Sequence, residues 1–174
     1  MRKNAVLLFA IVIAMGVNVF AQDEGAAGFA DFASGGSGVH KIAIGLGPEF
    51  NINTQEGFAG GIGLSVDYQL PSSLAAGLIV SMSHDFADFT VLELGALVRY
   101  YFFGTEHSGL FAQADLGTTL IFYDGETTPV FMGGLRAGYR MDLGPGYIEP
   151  YFRAGYPYLF GFGVIGGIKI TIGN

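Results

Sequence analysis

The sequence predicts an all-β protein: an eight-stranded antiparallel, up-and-down transmembrane β-barrel. Three observations carry this. From His40 to Ile172, apolar and polar residues alternate with period two in eight separate runs. Within each run every charged residue falls on one parity. Only 13% of the 174 residues are charged, against about 25% in an ordinary soluble domain. Successive side chains of a strand point to opposite faces, so each run has one ionic and one oily face.

The N-terminus precedes the runs. Arg2 and Lys3 lead into the apolar stretch "AVLLFAIVIAMGVNVF", and Val19 and Ala21 are small residues before a cut. That is the pattern of an export signal, so residues 1–21 are expected to be a signal peptide, with a short anchor helix as the alternative. Cleavage leaves six bases against fifteen acids, a formal charge of −9. Such a chain has no basic patch for phosphate, which excludes nucleic acid as a partner. Residues 22–39 are rich in Gly, Ala and Ser without a period and read as a flexible leader. The chain has no Cys, which excludes disulfides, zinc-thiolate sites, a cysteine nucleophile and a lipoprotein anchor.

The runs follow in order. The first, 40–52, carries Lys41 and Glu49 on odd positions. The second, 58–69, sets Asp67 opposite Ile62, Leu64, Val66 and Tyr68. The third, 74–86, sets Asp85 opposite Leu78, Val80, Met82 and Phe86. The fourth, 89–103, sets Glu93 and Arg99 opposite Leu92, Leu94, Val98, Tyr100 and Phe102. The fifth, 110–123, carries Asp115. In the sixth, 130–142, Arg136, Arg140 and Asp142 oppose Leu135, Ala137, Tyr139 and Met141. The seventh, 147–156, carries Glu149 and Arg153. The eighth, 160–172, sets Lys169 opposite Phe160, Phe162, Val164, Ile168, Ile170 and Ile172.

Turn residues separate the runs at "NTQEG", "LPSS", "GTEHS", "DGETTP", "LGPG" and "YPYL", and the break near Asp85–Asp88 is the least marked. Each run is long enough for a tilted strand to cross a bilayer, which takes about 9–11 residues.

Alternation alone does not say which face is inside. A soluble lipocalin-like barrel turns its oily parity inward, and a membrane barrel does the reverse. Three features favour ions inside. The ionic parity is full of glycine, including Gly45, Gly47, Gly61, Gly63, Gly77, Gly95, Gly117, Gly138, Gly163 and Gly167, and small residues suit a crowded eight-strand lumen. Its charges balance: Lys41, Arg99, Arg136, Arg140, Arg153 and Lys169 face Glu49, Asp67, Asp85, Glu93, Asp115, Asp142 and Glu149. Aromatics gather at strand ends, Tyr100 to Phe103 at one and Tyr156, Tyr158, Phe160 and Phe162 at the other. Aromatic girdles mark membrane barrels. Tyr100, Phe102, Tyr156, Tyr158, Phe160 and Phe162 are the expected girdle, and the thirteen charged residues are the expected lumen network.

With these features the chain resembles the small outer-membrane β-barrels of the OmpA, OmpX and OmpW kind. The carriers are the signal "MRKNAVLLFAIVIAMGVNVFAQ", the eight dyad runs over 40–174, strands such as "FAGGIGLSVDYQL" and "LFAQADLGTTLIFY", and the final strand "GFGVIGGIKITIGN". That strand ends in Ile-Gly-Asn where the family ends in an aromatic. The resemblance implies a bacterial outer-membrane location, the leader 22–39 in the periplasm, and outer-membrane lipids and the assembly machinery as partners of a monomeric barrel. No cofactor is expected. The outer turns are short and carry Glu56, Asp88, Asp124 and Glu126 with no base. They imply an outer leaflet poor in lipopolysaccharide, as in some spirochaetes.

A search for chemistry finds little. "SMSHDF" holds Ser81, Ser83, His84 and Asp85, but His84 falls on the opposite parity to the other three, so in-strand neighbours cannot form a triad. His40 and His107 sit at the far end from it, and three scattered His without ligand spacing argue against a metal. "GGIG" lies inside a strand with no helix after it, unlike a phosphate loop. A structural barrel with a plugged lumen is therefore the expected function, and no enzymatic activity is expected. The alternative is a narrow pore, or an OmpW-like conduit for small or hydrophobic molecules. A lipid-modifying barrel enzyme ranks third.

Overall fold

The computed structural model describes residues 40–53, 57–70, 73–86, 88–102 and 107–172. The expected signal peptide and leader lie outside the described residues. Eight strands follow one another: β1 (His40–Asn53), β2 (Gly57–Gln69), β3 (Leu74–His84), β4 (Thr90–Tyr101), β5 (Gly109–Tyr123), β6 (Glu126–Leu143), β7 (Gly146–Tyr156) and β8 (Phe160–Ile172). Each pairs antiparallel with the next, and β8 pairs back onto β1, so the barrel is closed. Closure leaves no sheet edge along its body.

The start of the first strand and the end of the last lie at one end, here called the termini end. The β1–β2, β3–β4, β5–β6 and β7–β8 turns mark the far end. The β5–β6 turn is tighter than expected. Only Asp124 (φ 49°) and Gly125 (φ 77°) make it, the Asp-Gly pair that a two-residue hairpin turn favours. Thr127, Thr128 and Pro129, expected in a loop, extend β6 instead. The hairpin therefore projects beyond its neighbours, because β7 reaches only to the level of Gly133. Pro129 lies on the edge this exposes and offers it no N–H, which discourages pairing with another strand.

Two other prolines mark the wall. The β1–β8 ladder skips Gly47 and Pro48, while Pro48 stays opposite Ile62 of β2. The β6–β7 ladder skips from Gly138↔Tyr151 to Met141↔Ile148, while Pro150 stays opposite Val164 of β8. Proline has no N–H to donate, so each ladder breaks on the side that the missing donor would face.

The two faces separate as the alternation predicts. Outward lie Leu78, Leu135, Phe152 and Ile168, each at least half exposed. Inward, glycine is needed for space. A methyl added at Gly163 would sit 2.6 Å from the Tyr151 ring, and one at Gly138 would sit 2.6 Å from the Phe111 ring. On the outer face, Gly166 has nothing within 4 Å of that position.

Candidate functional site

The lumen holds the barrel's polar chemistry, in two tiers. The tier nearer the termini end joins Arg99 (β4), Arg140 (β6), Asp67 (β2) and Glu149 (β7). Arg99 Nη1 donates to Asp67 Oδ2 at 3.1 Å and to Glu149 Oε2 at 2.8 Å. Arg140 reaches the same two oxygens, through Nε to Glu149 at 2.7 Å and Nη2 to Asp67 at 3.0 Å. Arg99 Nε also donates to Gln113 Oε1 at 2.8 Å. Both guanidinium groups lie against rings, Arg99 4.3 Å from the Phe111 centroid and Arg140 4.1 Å from that of Tyr147, where the ring face attracts a cation.

The second tier joins Arg136 (β6), Arg153 (β7), Glu49 (β1), Glu93 (β4) and Asp115 (β5). Arg136 and Arg153 are directly opposite each other on adjoining strands, a like-charge pair that destabilises a sheet on its own. Glu49 relieves it by touching both, Arg153 Nη1 at 2.7 Å and Arg136 Nη1 at 3.2 Å. Arg153 grips both oxygens of Glu93, each at 2.7 Å, in the forked geometry that suits Arg. Arg136 Nε donates to Asp115 Oδ2 at 2.6 Å. Ser81 donates to Glu93 at 2.6 Å, Asn51 to Glu49 at 2.9 Å, and Tyr151 also donates to Glu49. Gln113 Nε2 donates to Asp115 Oδ1 and so links the tiers.

All nine of these charged side chains are buried, with exposures of 4% or less. Four arginines against five carboxylates come close to neutrality, which a buried charge requires. Aromatics flank the tiers. At the termini end Tyr101 and Phe111 are buried, with His107 edge-on to Tyr101 at 5.5 Å. At the far end Tyr158 packs with Ala59 and Val91, and its hydroxyl lies 2.6 Å from Ser83 Oγ. Burial pushes the Tyr158 hydroxyl up to about 12.

Of the expected network, Glu49, Asp67, Glu93, Arg99, Asp115, Arg136, Arg140, Glu149 and Arg153 are brought together. Asp142 and Lys169 meet each other at 2.7 Å on the termini-end rim, and Lys41 is half-buried. Asp85 is placed elsewhere. β3 stops at His84, and Asp85 Oδ1 accepts the Phe89 N–H at 3.0 Å, closing the β3–β4 turn. Of the expected girdle, Tyr100, Phe102, Tyr156, Phe160 and Phe162 point outward. Tyr158 does not: it turns inward from the β7–β8 turn and is 3% exposed. Phe50 and Phe58 add to the outer aromatics: Phe50 stacks on Phe58 with centroids 5.6 Å apart and lies tilted against Phe162 at 5.3 Å.

Charge alone does not single out the uncharged members of the network, and Tyr101, grouped above with the strand-end aromatics, turns inward. Asn51, Tyr101, Gln113, Tyr147 and Tyr151 share the parity of the charges in their own strands, and that parity is the signal that finds them. Ser81, Ser83 and His84 do not converge. Ser81 serves Glu93 and Ser83 lies against Tyr158, while His84 is exposed beside Thr90 Oγ1 at 3.1 Å.

No protein-family model matches the chain, and no curated protein matches it. Solved structures do. A crystal structure of neisserial surface protein A (NspA) is similar with a TM-score of 0.52 at 14% identity, covering 78% of this chain and 99% of that one. A solution NMR structure of the de novo designed TMB2.3 aligns with a TM-score of 0.43 at 19% identity, over 76% of this chain and 94% of the design. A structure titled "De novo design of transmembrane beta-barrels" aligns with a TM-score of 0.42 at 16% identity, over 78% and 96%. At these identities the likeness to NspA is one of fold.

Proposed function

We propose that this chain is an integral barrel of the bacterial outer membrane whose lumen is plugged by its ionic network, and that its role there is structural. One observation carries the reading. Nine charged side chains are buried inside while large apolar ones cover the outside: Arg140 and Asp67 are 0% exposed and Phe152 is 73% exposed. In water that arrangement would display an oily wall far larger than a soluble monomer carries. In hydrocarbon it meets the demand that charge be hidden, and closure pairs the strands along most of their length. Strands of 11 to 18 residues have the length for it. The eight-stranded fold shared with neisserial surface protein A supports the same reading.

The plug follows from the filling of the lumen. Nine buried charges hold one another from six different strands, and aromatic side chains flank them at both ends. Planar-bilayer recording of the purified protein tests this. A silent barrel is expected. Steady conductance steps from the wild type would overturn the plug and favour the narrow conduit. A chain that stays soluble and folded without detergent would overturn the membrane reading itself.

A further inference from the structure

The two wall prolines that interrupt ladders meet at one level. Pro48 of β1 and Pro150 of β7 both stand beside Val164 of β8, one through the β1–β8 break and the other in register. The breaks therefore fall on the two outer seams of the β7–β8 hairpin, β1–β8 on one side and β6–β7 on the other. Within the hairpin the ladder runs unbroken from Gly146↔Ile168 to Ala154↔Phe160. Each proline is adjacent in sequence to a buried glutamate, in "PE" at 48–49 and "EP" at 149–150. Glu149 spans the β6–β7 break directly, meeting Arg140 at 2.7 Å. Glu49 reaches past β8 to Arg153 of β7 at 2.7 Å and to Arg136 of β6 at 3.2 Å.

We propose that the β7–β8 hairpin is a hinged panel of the barrel wall, held shut at the level of Val164 by the ion pairs of Glu49 and Glu149 where both hydrogen-bonded seams are interrupted. When those two carboxylates release their arginines, the wall parts there first. This goes beyond the closed-lumen reading, because a plugged barrel needs no weak seam. A lost ladder bond is ordinarily left to proline on a sheet edge. Here both breaks lie inside a closed sheet, and each is backed from the lumen by a charge-assisted bond, the stronger kind.

Amide hydrogen exchange of the full folded barrel in lipid nanodiscs, read residue by residue, tests the panel. In the double variant Glu49→Gln/Glu149→Gln, exchange along β1–β8 and β6–β7 should speed up at least tenfold relative to β3–β4. Asp115→Asn removes a lumen carboxylate that ties Arg136 to β5 but leaves the ion pairs of Glu49 and Glu149 in place, and should leave both seams as they are. Adding Pro48→Ala and Pro150→Ala to the double variant should restore protection. The two proline changes alone, in a chain with its full set of charges, should slow exchange at the two seams below the wild-type rate. That arm needs no charge removed, so it reports even if the glutamate variants do not fold. Equal acceleration on all eight strands, seam opening by Asp115→Asn, or no gain from the alanines would each overturn the panel.

Discussion

Phe152→Arg puts the orientation of the barrel to a quantitative test. Phe152 is 73% exposed and lies near the middle of β7, opposite Ala137 on one side and Phe162 on the other. If the outer face meets hydrocarbon, an arginine there sits near the bilayer midplane, where it costs about 2–4 kcal/mol. At about 1.36 kcal/mol per factor of ten, the folded-to-unfolded ratio falls roughly 30- to 900-fold. Loss of the phenyl group from lipid acts in the same direction. Ile172→Arg is the matched control: it is 51% exposed but ends β8 at the rim, where the same charge costs about 0–1 kcal/mol. Reversible urea unfolding in lipid vesicles, followed by the heat-dependent gel shift, reads both. If Phe152→Arg changed stability by less than about 0.5 kcal/mol, as an ordinary exposed substitution does, or no more than Ile172→Arg, the outer face would not be facing lipid.

Other expectations follow from the lumen. Arg153→Met leaves Glu93 and part of Glu49 without their cation, and should lower stability by about 3–5 kcal/mol in the same assay; adding Glu93→Gln should recover part of the loss. Gly163→Ala drives a methyl against the Tyr151 ring and should cost about 1–3 kcal/mol, whereas Gly166→Ala, with open space around it, should be neutral or slightly stabilising on thermal unfolding. Burial holds the Tyr158 hydroxyl up at about 12, above its ordinary 10.0. The folded state therefore disfavours the phenolate, and this contribution to stability is complete below about pH 10 and is lost as pH rises from about 10 to about 12. Tyr158→Phe should make the alkaline fall in stability shallower, other buried tyrosines keeping part of it.

Much of this barrel is legible in the sequence because a closed sheet with an ionic inner face and an oily outer face leaves the period-two pattern nowhere to hide. Leu135, Arg136, Ala137 and their neighbours alternate without exception, and a one-residue error of register would turn every charge of β6 to the oily outer face. The misplacements occur where the chain leaves the strands. Asp85 keeps the parity of its run by count alone, but its carboxylate is taken by a backbone N–H of its own turn. Tyr158 lies between strands, where parity has no meaning, and its side chain is free to bend inward. Thr127 to Pro129 look like a loop by composition, yet the tight Asp124–Gly125 turn lets β6 begin at Glu126. Which carboxylate meets which arginine was not readable at all. Those pairs run between strands as far apart around the barrel as β2 and β6, and period two fixes a face without fixing a partner across the lumen.

The distribution of charge along the chain also bears on how the protein is made. Glu49 and Asp67 belong to the first hairpin synthesised, and their arginines arrive only with β4, β6 and β7. A nascent β1–β2 pair that entered the bilayer early would carry two naked carboxylates into hydrocarbon. On the proposed membrane reading, such a chain would wait in water until its basic strands emerge and then insert as a whole. Fragments truncated before β6 should be recovered from the aqueous phase rather than from the membrane.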